Sequence, residues 1–141
     1  MMVAKQGRSY ELLLADDDAE FRAILRQVLE PHVDLCEADC GEQALEIVRS
    51  RHVDLVLLDM HMQQLTGLDT LRLVKSFRAA LPCIIITASF SDELQRSATE
   101  ADAFSVLKKP VSRRTLLQTV SRALESTYGD PEVAKWLSPG S

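Results

Sequence analysis

The chain has 141 residues, 46% of them apolar and 26% charged, which is the size and composition of one ordinary globular domain. Its 21 acidic and 16 basic residues give a net charge of −5, which argues against nucleic acid or an anionic membrane as a direct partner. No apolar stretch approaches the roughly 18 residues of a membrane helix, and the N-terminus lacks an apolar signal core, so we expect a cytoplasmic protein.

Short apolar runs alternate with helical patterns along the chain. The runs predicted to be strands are residues 10–15, 33–38, 53–59, 83–88 and 103–107. The helical patterns that follow them are residues 19–30, 41–51, 67–80, 91–100 and 113–125. Strands and helices that alternate in this way form a parallel sheet covered by helices on both faces, so the predicted class is three-layer α/β.

Two segments differ from the other predicted elements. The fourth helical pattern offers only Leu94 and Ala98 as apolar anchors, so we expect a weakly packed, mobile helix there. Residues 126–141 depart from the alternating pattern and are interpreted as a tail or linker. Within them, Asp130 before Pro131 could cap a short helix that ends at Leu137.

Polar side chains follow the predicted strands. The carboxyl ends of parallel strands meet at one edge of a sheet, where ligands bind. We therefore expect these side chains to lie together at that edge. They are Asp16, Asp17 and Asp18 after the first strand, Asp59 after the third, Thr87 after the fourth, and Lys108 and Lys109 after the fifth.

The chemistry of these side chains suits a phosphoryl group. Carboxylates held close together repel one another, so one must be protonated or a cation must lie between them. Oxygen ligands with open coordination positions suit Mg²⁺, and a lysine ammonium or threonine hydroxyl can contact an oxyanion. In such a pocket Asp59 is a candidate nucleophile that would form an aspartyl phosphate.

A purely structural interpretation of the acidic run is also available. Asp17 with Glu20 three residues later resembles a capping box, and an acid at a helix N-terminus is favourable in any case. Asp59 alone would be a loop-initiating acid, and Thr87 alone a β-branched strand residue. Capping requires only one side chain, so the combination favours a site.

Four motifs stand at the predicted strand ends: an acidic pair after the first strand, LLDMHMQQLTG after the third, IIITAS at the fourth and LKKP after the fifth. Together they resemble the receiver domain of bacterial two-component response regulators, the family of the chemotaxis response regulator. The resemblance covers residues 9–125. It implies a flavodoxin-like (βα)5 fold with strand order 2-1-3-4-5.

The resemblance also implies a Mg²⁺ site. Asp17 would bind the ion directly and Asp16 through water. Asp59 and the backbone carbonyl of His61 would complete the protein ligands.

For the phosphoryl group, the resemblance implies that Asp59 is the acceptor. Thr87 would be the switch hydroxyl that turns toward the phosphoryl group. Lys109 would contact the phosphoryl group, and its bond to Pro110 would be cis.

Three positions depart from the family pattern. Gln63 stands where a proline is common, so the loop after the third strand is expected to be less rigid. Val106 replaces the aromatic switch residue, and Asp102 replaces a glycine before the fifth strand. These departures concern how a signal is relayed and remove no atom needed for phosphorylation.

The function implied by the resemblance is that of a signalling domain rather than a metabolic enzyme. It would take a phosphoryl group from a histidine kinase or phosphotransfer protein and catalyse its own phosphotransfer and dephosphorylation. A surface of the fourth helix, fifth strand and fifth helix would then bind a downstream protein, an output domain or a second copy.

Two alternatives remain. One is a pseudo-receiver that binds partners without phosphorylation, against which the intact acids, Thr87 and Lys109 count. The other is a Mg²⁺-dependent phosphohydrolase of the haloacid dehalogenase type, but such enzymes carry Asp-x-Asp at the nucleophile, where this chain has His61.

Overall fold

The apolar runs form a parallel sheet at the centre of the molecule. The computed structural model describes residues 9–137. Within them the strands are β1 (Glu11–Ala15), β2 (Asp34–Ala38), β3 (Leu55–Asp59), β4 (Cys83–Thr87) and β5 (Ser105–Lys108). All neighbours are parallel, in the order β2-β1-β3-β4-β5. The predicted α/β class and strand order are confirmed.

Each predicted helix is present. The helices are α1 (Ala19–Leu29), α2 (Gly41–Ser50), α3 (Gly67–Phe77), α4 (Asp92–Glu100) and α5 (Arg113–Tyr128), followed by a 3₁₀ helix (Pro131–Leu137). The predicted C-terminal ends of two helices, α3 and α5, are wrong. α3 stops at Phe77 because Arg78 leaves the helical region, with ψ 72°, and α5 continues past Glu125 to Gly129, whose φ of 65° ends the helix.

The strands separate two hydrophobic cores in the described part of the chain. Successive strand side chains point to opposite faces, so Leu12 and Leu14 pack in one core while Leu13 and Ala15 pack in the other. The first core includes side chains of α1, α5 and the 3₁₀ helix. The second includes side chains of α2, α3 and α4. The helices thus cover both faces, and the carboxyl ends of the strands remain at one open edge.

The register of the sheet aligns the loops that carry the polar side chains. Ala15 of β1 pairs with Leu58 of β3, and Asp59 pairs with Ile86 of β4. At the next pair of strands, Thr87 lies beside Lys108. The residues that follow β1, β3, β4 and β5 therefore emerge side by side.

The fourth helix has few buried residues. In Asp92–Glu100, only Leu94 and Ala98 are buried, as the sequence predicts. α5 is longer and has buried residues in each of its middle turns. The mobility of α4 stays a prediction.

The C-terminal segment packs back onto the start of the sheet. The Tyr10 hydroxyl donates a hydrogen bond to Asp130 Oδ2 at 2.7 Å, and Asp130 Oδ1 accepts one from the Glu132 amide at 3.0 Å. Val133 is 3% exposed within the first core, and the Trp136 ring stacks on His32 with centroids 4.9 Å apart. The predicted short helix ending at Leu137 is present, whereas residues 138–141 of the predicted tail lie outside the described residues.

Hydrogen exchange tests the predicted mobility of α4. We expect the amides of Asp92–Glu100 to exchange roughly tenfold or more faster than those of α5, because fewer buried contacts oppose local opening. The measurement is amide exchange in the unphosphorylated protein, resolved by residue. Uniformly slow exchange across residues 91–100 would contradict the prediction.

A second prediction concerns the buried contact between Tyr10 and Asp130. Tyr10→Phe should lower the free energy of unfolding by about 1–3 kcal/mol, because a buried carboxylate loses a hydroxyl donor. Urea unfolding followed through Trp136, the one tryptophan of the sequence, measures the change. Ser9→Ala is the matched control, since it removes an exposed hydroxyl–carboxylate bond of 2.6 Å to Asp34. If Ser9→Ala lowered the free energy of unfolding as much as Tyr10→Phe, burial of the hydrogen bond would not explain the loss.

Candidate functional site

The loop after β1 places one acid inside the protein and the next outside. Asp16 is 3% exposed, whereas Asp17 is exposed to solvent. The Asp16 amide donates to Ala38 O at 3.1 Å, and Asp16 Oδ1 accepts from the Asp18 amide at 2.8 Å. These bonds fix the turn and leave Asp16 Oδ2 directed at Lys109.

Asp18, rather than Asp17, caps α1. Asp18 Oδ1 accepts hydrogen bonds from the Glu20 amide at 3.0 Å and the Phe21 amide at 3.2 Å. The capping-box interpretation of Asp17 with Glu20 is therefore wrong. Because Asp18 satisfies the helix end, the carboxylates of Asp16 and Asp17 are available for other contacts.

Ionic contacts between α1 and β2 support the same loop. Arg22 donates to the backbone oxygen of Asp16 and forms an ion pair with Glu37 at 2.9 Å. Arg26 contacts the other oxygen of Glu37 at 2.7 Å. The hydrogen bond from Arg26 is the main cause of the lowered pKa of Glu37. The sequence did not predict this network, because its partners lie on separate elements.

Lys109 joins the two buried acids of the site. Its ammonium lies 3.0 Å from Asp16 Oδ2 and 3.0 Å from Asp59 Oδ1. Asp59 is 6% exposed, and the side chain of Lys109 is 19% exposed. Lys109 is thus the basic residue at the centre of the site, whereas Lys108 is exposed and lies over the Phe90 ring at 4.7 Å.

Burial shapes the ionisation of this pair. Removal from solvent raises the pKa of Asp59, the Lys109 hydrogen bond opposes that effect, and the nearby Asp16 charge adds to it. Burial alone would lower the pKa of Lys109, but its hydrogen bonds to Asp59 and Asp16 outweigh burial, so its pKa is raised. Lys109 is therefore a permanent cation, while Asp59 holds its negative charge against an energetic cost.

The acidic residues fit a hard divalent cation. Asp16, Asp17 and Asp59 each offer a carboxylate oxygen, and these oxygens all lie within 4.8 Å of one another. A few carboxylates beside open solvent are the donor set that Mg²⁺ takes in phosphate-binding sites. His61 is exposed two residues after Asp59, and the role of its carbonyl stays a prediction.

Close packing fixes the loop between β3 and α3. A Cβ on Gly67 would lie 2.4 Å from the backbone oxygen of Asp59, so only glycine fits there. The Gly67 amide donates to Met60 O at 2.8 Å, and Thr66 and Asp69 form a capping box at the start of α3. These contacts hold the loop between β3 and α3, in which Gln63 stands where the receiver family commonly has a proline. Gly67 is the last residue of the LLDMHMQQLTG motif. The motif does not indicate that this glycine passes against the backbone of Asp59.

Thr87 lies at the end of β4 beside β3 and is fully buried. Its Oγ1 accepts a hydrogen bond from the Ser89 amide at 3.0 Å, and its backbone oxygen accepts one from the Lys109 amide at 2.8 Å. The peptide bond between Lys109 and Pro110 is cis, as expected. Thr87 and Lys109 are thus linked through the backbone.

The two other departures from the family pattern are accommodated locally. Val106 is half-buried, pairs with Ile85 and packs in the second core. Asp102 adopts φ 69°, a left-handed conformation that Asp tolerates better than most residues. Its carboxylate lies 3.5 Å from Lys75.

Comparison with known proteins identifies the type of domain. The profile of the response regulator receiver domain matches residues 12–121. The transcriptional regulatory protein ZraR of Escherichia coli O157:H7 is 36% identical over 84% of this chain, and the sensory/regulatory protein RpfC of Xanthomonas campestris is 32% identical over 85%. The matched region spans 27% of the former and 17% of the latter.

A solved structure has the same fold. The signal receiver domain of an HD domain-containing protein from Pseudomonas fluorescens Pf-5 superposes with a TM-score of 0.82 and 30% identity, covering 86% of this chain and 99% of that one. Within residues 9–137 of the present chain, no helix is long and apolar enough to cross a bilayer. With its strand order, its acidic edge and the match over residues 12–121, the chain belongs to the family of response regulator receiver domains of two-component signalling.

Proposed function

We propose that the chain accepts a phosphoryl group on Asp59 from a sensor histidine kinase or a histidine phosphotransfer protein. The observation that carries this proposal is the placement of one ammonium 3.0 Å from both Asp59 and Asp16. A carboxylate that is buried, charged and neighboured by a fixed cation is a suitable nucleophile for a phosphoryl donor. Lys109 then stands next to the acceptor oxygen, within reach of the charged oxygens of an incoming phosphoryl group.

The reaction exchanges one bond to phosphorus for another. An oxygen of ionised Asp59 forms the new P–O bond as the P–N bond of a phosphohistidine breaks, and the leaving imidazole keeps the electron pair and takes a proton from water. Such transfer depends on positioning and charge neutralisation rather than on an acid or base. Lys109 neutralises charge on the phosphoryl oxygens, and the Thr87 hydroxyl donates a hydrogen bond to one of them.

We propose that Mg²⁺ is the cofactor, held by Asp16, Asp17 and Asp59 with the backbone carbonyl of His61. When bound, the ion neutralises charge on the acids and on the phosphoryl oxygens. The raised pKa of Asp59 supports the need for a cation in addition to Lys109, because an ammonium alone leaves the ionised form disfavoured. The exposure of Asp17 beside two buried acids supports a site open to solvent on one side.

The phosphorylated domain would act by changing a protein-binding surface. We place that surface on α4, β5 and α5, supported by the few buried contacts of α4 and by the backbone link from Thr87 to Lys109 at the end of β5. Its target would be a downstream protein, an attached output domain or a second copy. We further propose that residues 9–125 belong to the receiver and that the protein acts in the cytoplasm. The end of α5 and the 3₁₀ helix, which pack on the first core, extend the folded unit beyond residue 125.

The direct test is intact mass after incubation with acetyl phosphate and Mg²⁺. Wild type should gain one phosphoryl group, and both Asp59→Ala and omission of Mg²⁺ should abolish the gain. Asp39→Asn is the matched control, because it removes an exposed carboxylate that lines the same surface cavity as Asp17 and should leave phosphorylation unchanged. Steady consumption of acetyl phosphate without an adduct would indicate a phosphohydrolase. Neither adduct nor consumption would indicate a pseudo-receiver.

A further prediction follows from the raised pKa of Asp59. Because the folded protein binds this proton more tightly than the unfolded chain, the contribution of Asp59 to stability is present below its ordinary pKa of 3.8 and is lost as the pH rises through the folded value. A tenfold difference in proton affinity between the two states corresponds to about 1.4 kcal/mol. In EDTA, Asp59→Asn should therefore be more stable than wild type at pH 7, and the difference should shrink as the pH approaches 4.

Urea unfolding at a series of pH values measures that difference. Mg²⁺ should stabilise wild type more than Asp59→Asn, since only wild type keeps all three carboxylates. Asp39→Asn, which removes an exposed carboxylate, is the control for the loss of one negative charge. A wild type more stable than Asp59→Asn at neutral pH in EDTA would contradict the prediction.

A further inference from the structure

An aromatic ring lies against the basic residue of the site. The Lys109 ammonium is 4.0 Å from the centroid of the Phe21 ring, well within the roughly 6 Å over which a cation is attracted to a ring face. We infer that Phe21 is a positioning residue whose ring face holds Lys109 against Asp16 and Asp59. Its effect on phosphoryl transfer rests on the function proposed above, whereas the positioning itself does not.

The ring completes the surroundings of the ammonium. A lysine ammonium has three donors, and two are directed at Asp16 and Asp59 at 3.0 Å each. A flexible four-carbon stem leaves such a charge many positions. With carboxylates on two sides and a ring face on another, the ammonium of Lys109 is restricted to the space next to the acceptor oxygen.

Phe21 is itself firmly placed. It lies in the first turn of α1, where its amide donates to the capping side chain of Asp18 at 3.2 Å. Its ring packs against the first core and lines a void of about 10 Å³ together with Asp16, Asp59 and five aliphatic residues. A void of this size holds at most about one water molecule. The ring and the two carboxylates therefore border one small space that has almost no room for water.

The position of Lys109 matters because the reaction requires a charge in a defined place. Misplacing a catalytic group by a small distance slows a reaction that depends on orientation. If Phe21 acts through its π electrons, the effect must follow the electrostatic potential of the ring. If Phe21 only fills space, a ring of the same shape and weaker π potential would serve equally well.

The first test measures the position of Lys109 without phosphorylation. The Lys109 ε-methylene should be ordered in wild type, and Phe21→Leu should lower its NMR order parameter in the unphosphorylated protein. Phe104→Leu is the matched control: Phe104 also packs against the first core and lies under a cation, Arg122, at 6.0 Å. An unchanged order parameter of the Lys109 ε-methylene in Phe21→Leu would overturn the inference.

The second test varies the ring electronics at constant shape. Para-fluoro, difluoro and trifluoro phenylalanine at position 21 progressively weaken the attraction for a cation. The rate of phosphorylation by acetyl phosphate should fall steadily, by roughly fivefold across the series, while urea unfolding stays within error of wild type. The same substitutions at position 104 should leave the rate unchanged. Equal rates across the position 21 series would overturn the inference.

The two tests separate this inference from the proposed function. If wild type forms no phosphoryl adduct, the proposed function fails, and the order parameter of the Lys109 ε-methylene still decides whether Phe21 positions Lys109. If the adduct forms and Asp59→Ala abolishes it, the proposed function stands whatever the fluorinated series shows.

Discussion

Two buried carboxylates, Asp16 and Asp59, share the ammonium of Lys109, and the three groups come from the ends of β1, β3 and β5. A buried carboxylate without a partner would take up a proton rather than stay charged. An ionised Asp59 is therefore compatible with the fold only when those three strand ends are aligned. This requirement links the chemistry of the site to the order and register of the sheet.

Backbone hydrogen bonds extend that alignment beyond the strands. The amides of Asp16, Met60 and Lys109 each donate to a neighbouring strand, at Ala38, Ile86 and Thr87, over 2.8–3.1 Å. The first residue after each strand is thus still held as if it belonged to the sheet. The site is built on rigid backbone, although its residues lie where loops begin.

The two ends of the sheet are organised for different purposes. At the carboxyl end, the exposed Asp17 leaves the cluster of acids open to solvent on one side. At the amino end, Tyr10, Asp130 and the 3₁₀ helix close the first core. The Tyr10 hydroxyl and the Asp130 carboxylate are hydrogen-bonded to each other there, which suits a structural rather than a chemical role.

The proposed switching surface shows how the chain differs from the common pattern of its family. Val106 stands where an aromatic residue is expected, and it is half-buried against the second core. Phe90 instead lies in the loop before α4, under the ammonium of Lys108. The acids and Lys109 therefore follow the family pattern more closely than the segment around Val106, which would transmit the phosphorylation state.

The sequence by itself determined the elements and the edge at which the chemistry lies. Hydrophobic periodicity marks five strands and five helices, and parallel strands necessarily bring their carboxyl ends together. Strand ends alone therefore placed at one edge the side chains of Asp16, Asp17, Asp18, Asp59, Thr87, Lys108 and Lys109. The choice of Asp16, Asp17 and Lys109 within that set came from the resemblance to the receiver family. The strand order came from resemblance to the receiver family, because periodicity does not specify which strands are neighbours.

Tertiary structure decided the contacts within the site. Asp18 rather than Asp17 caps α1, Gly67 passes against the backbone of Asp59, and Phe21 lies under Lys109. Local patterns report the spacing of residues along one element, whereas these contacts depend on distances of a few ångströms between elements. Those distances are set by the packing of α1 and α3 on the sheet, which no single segment of the sequence encodes.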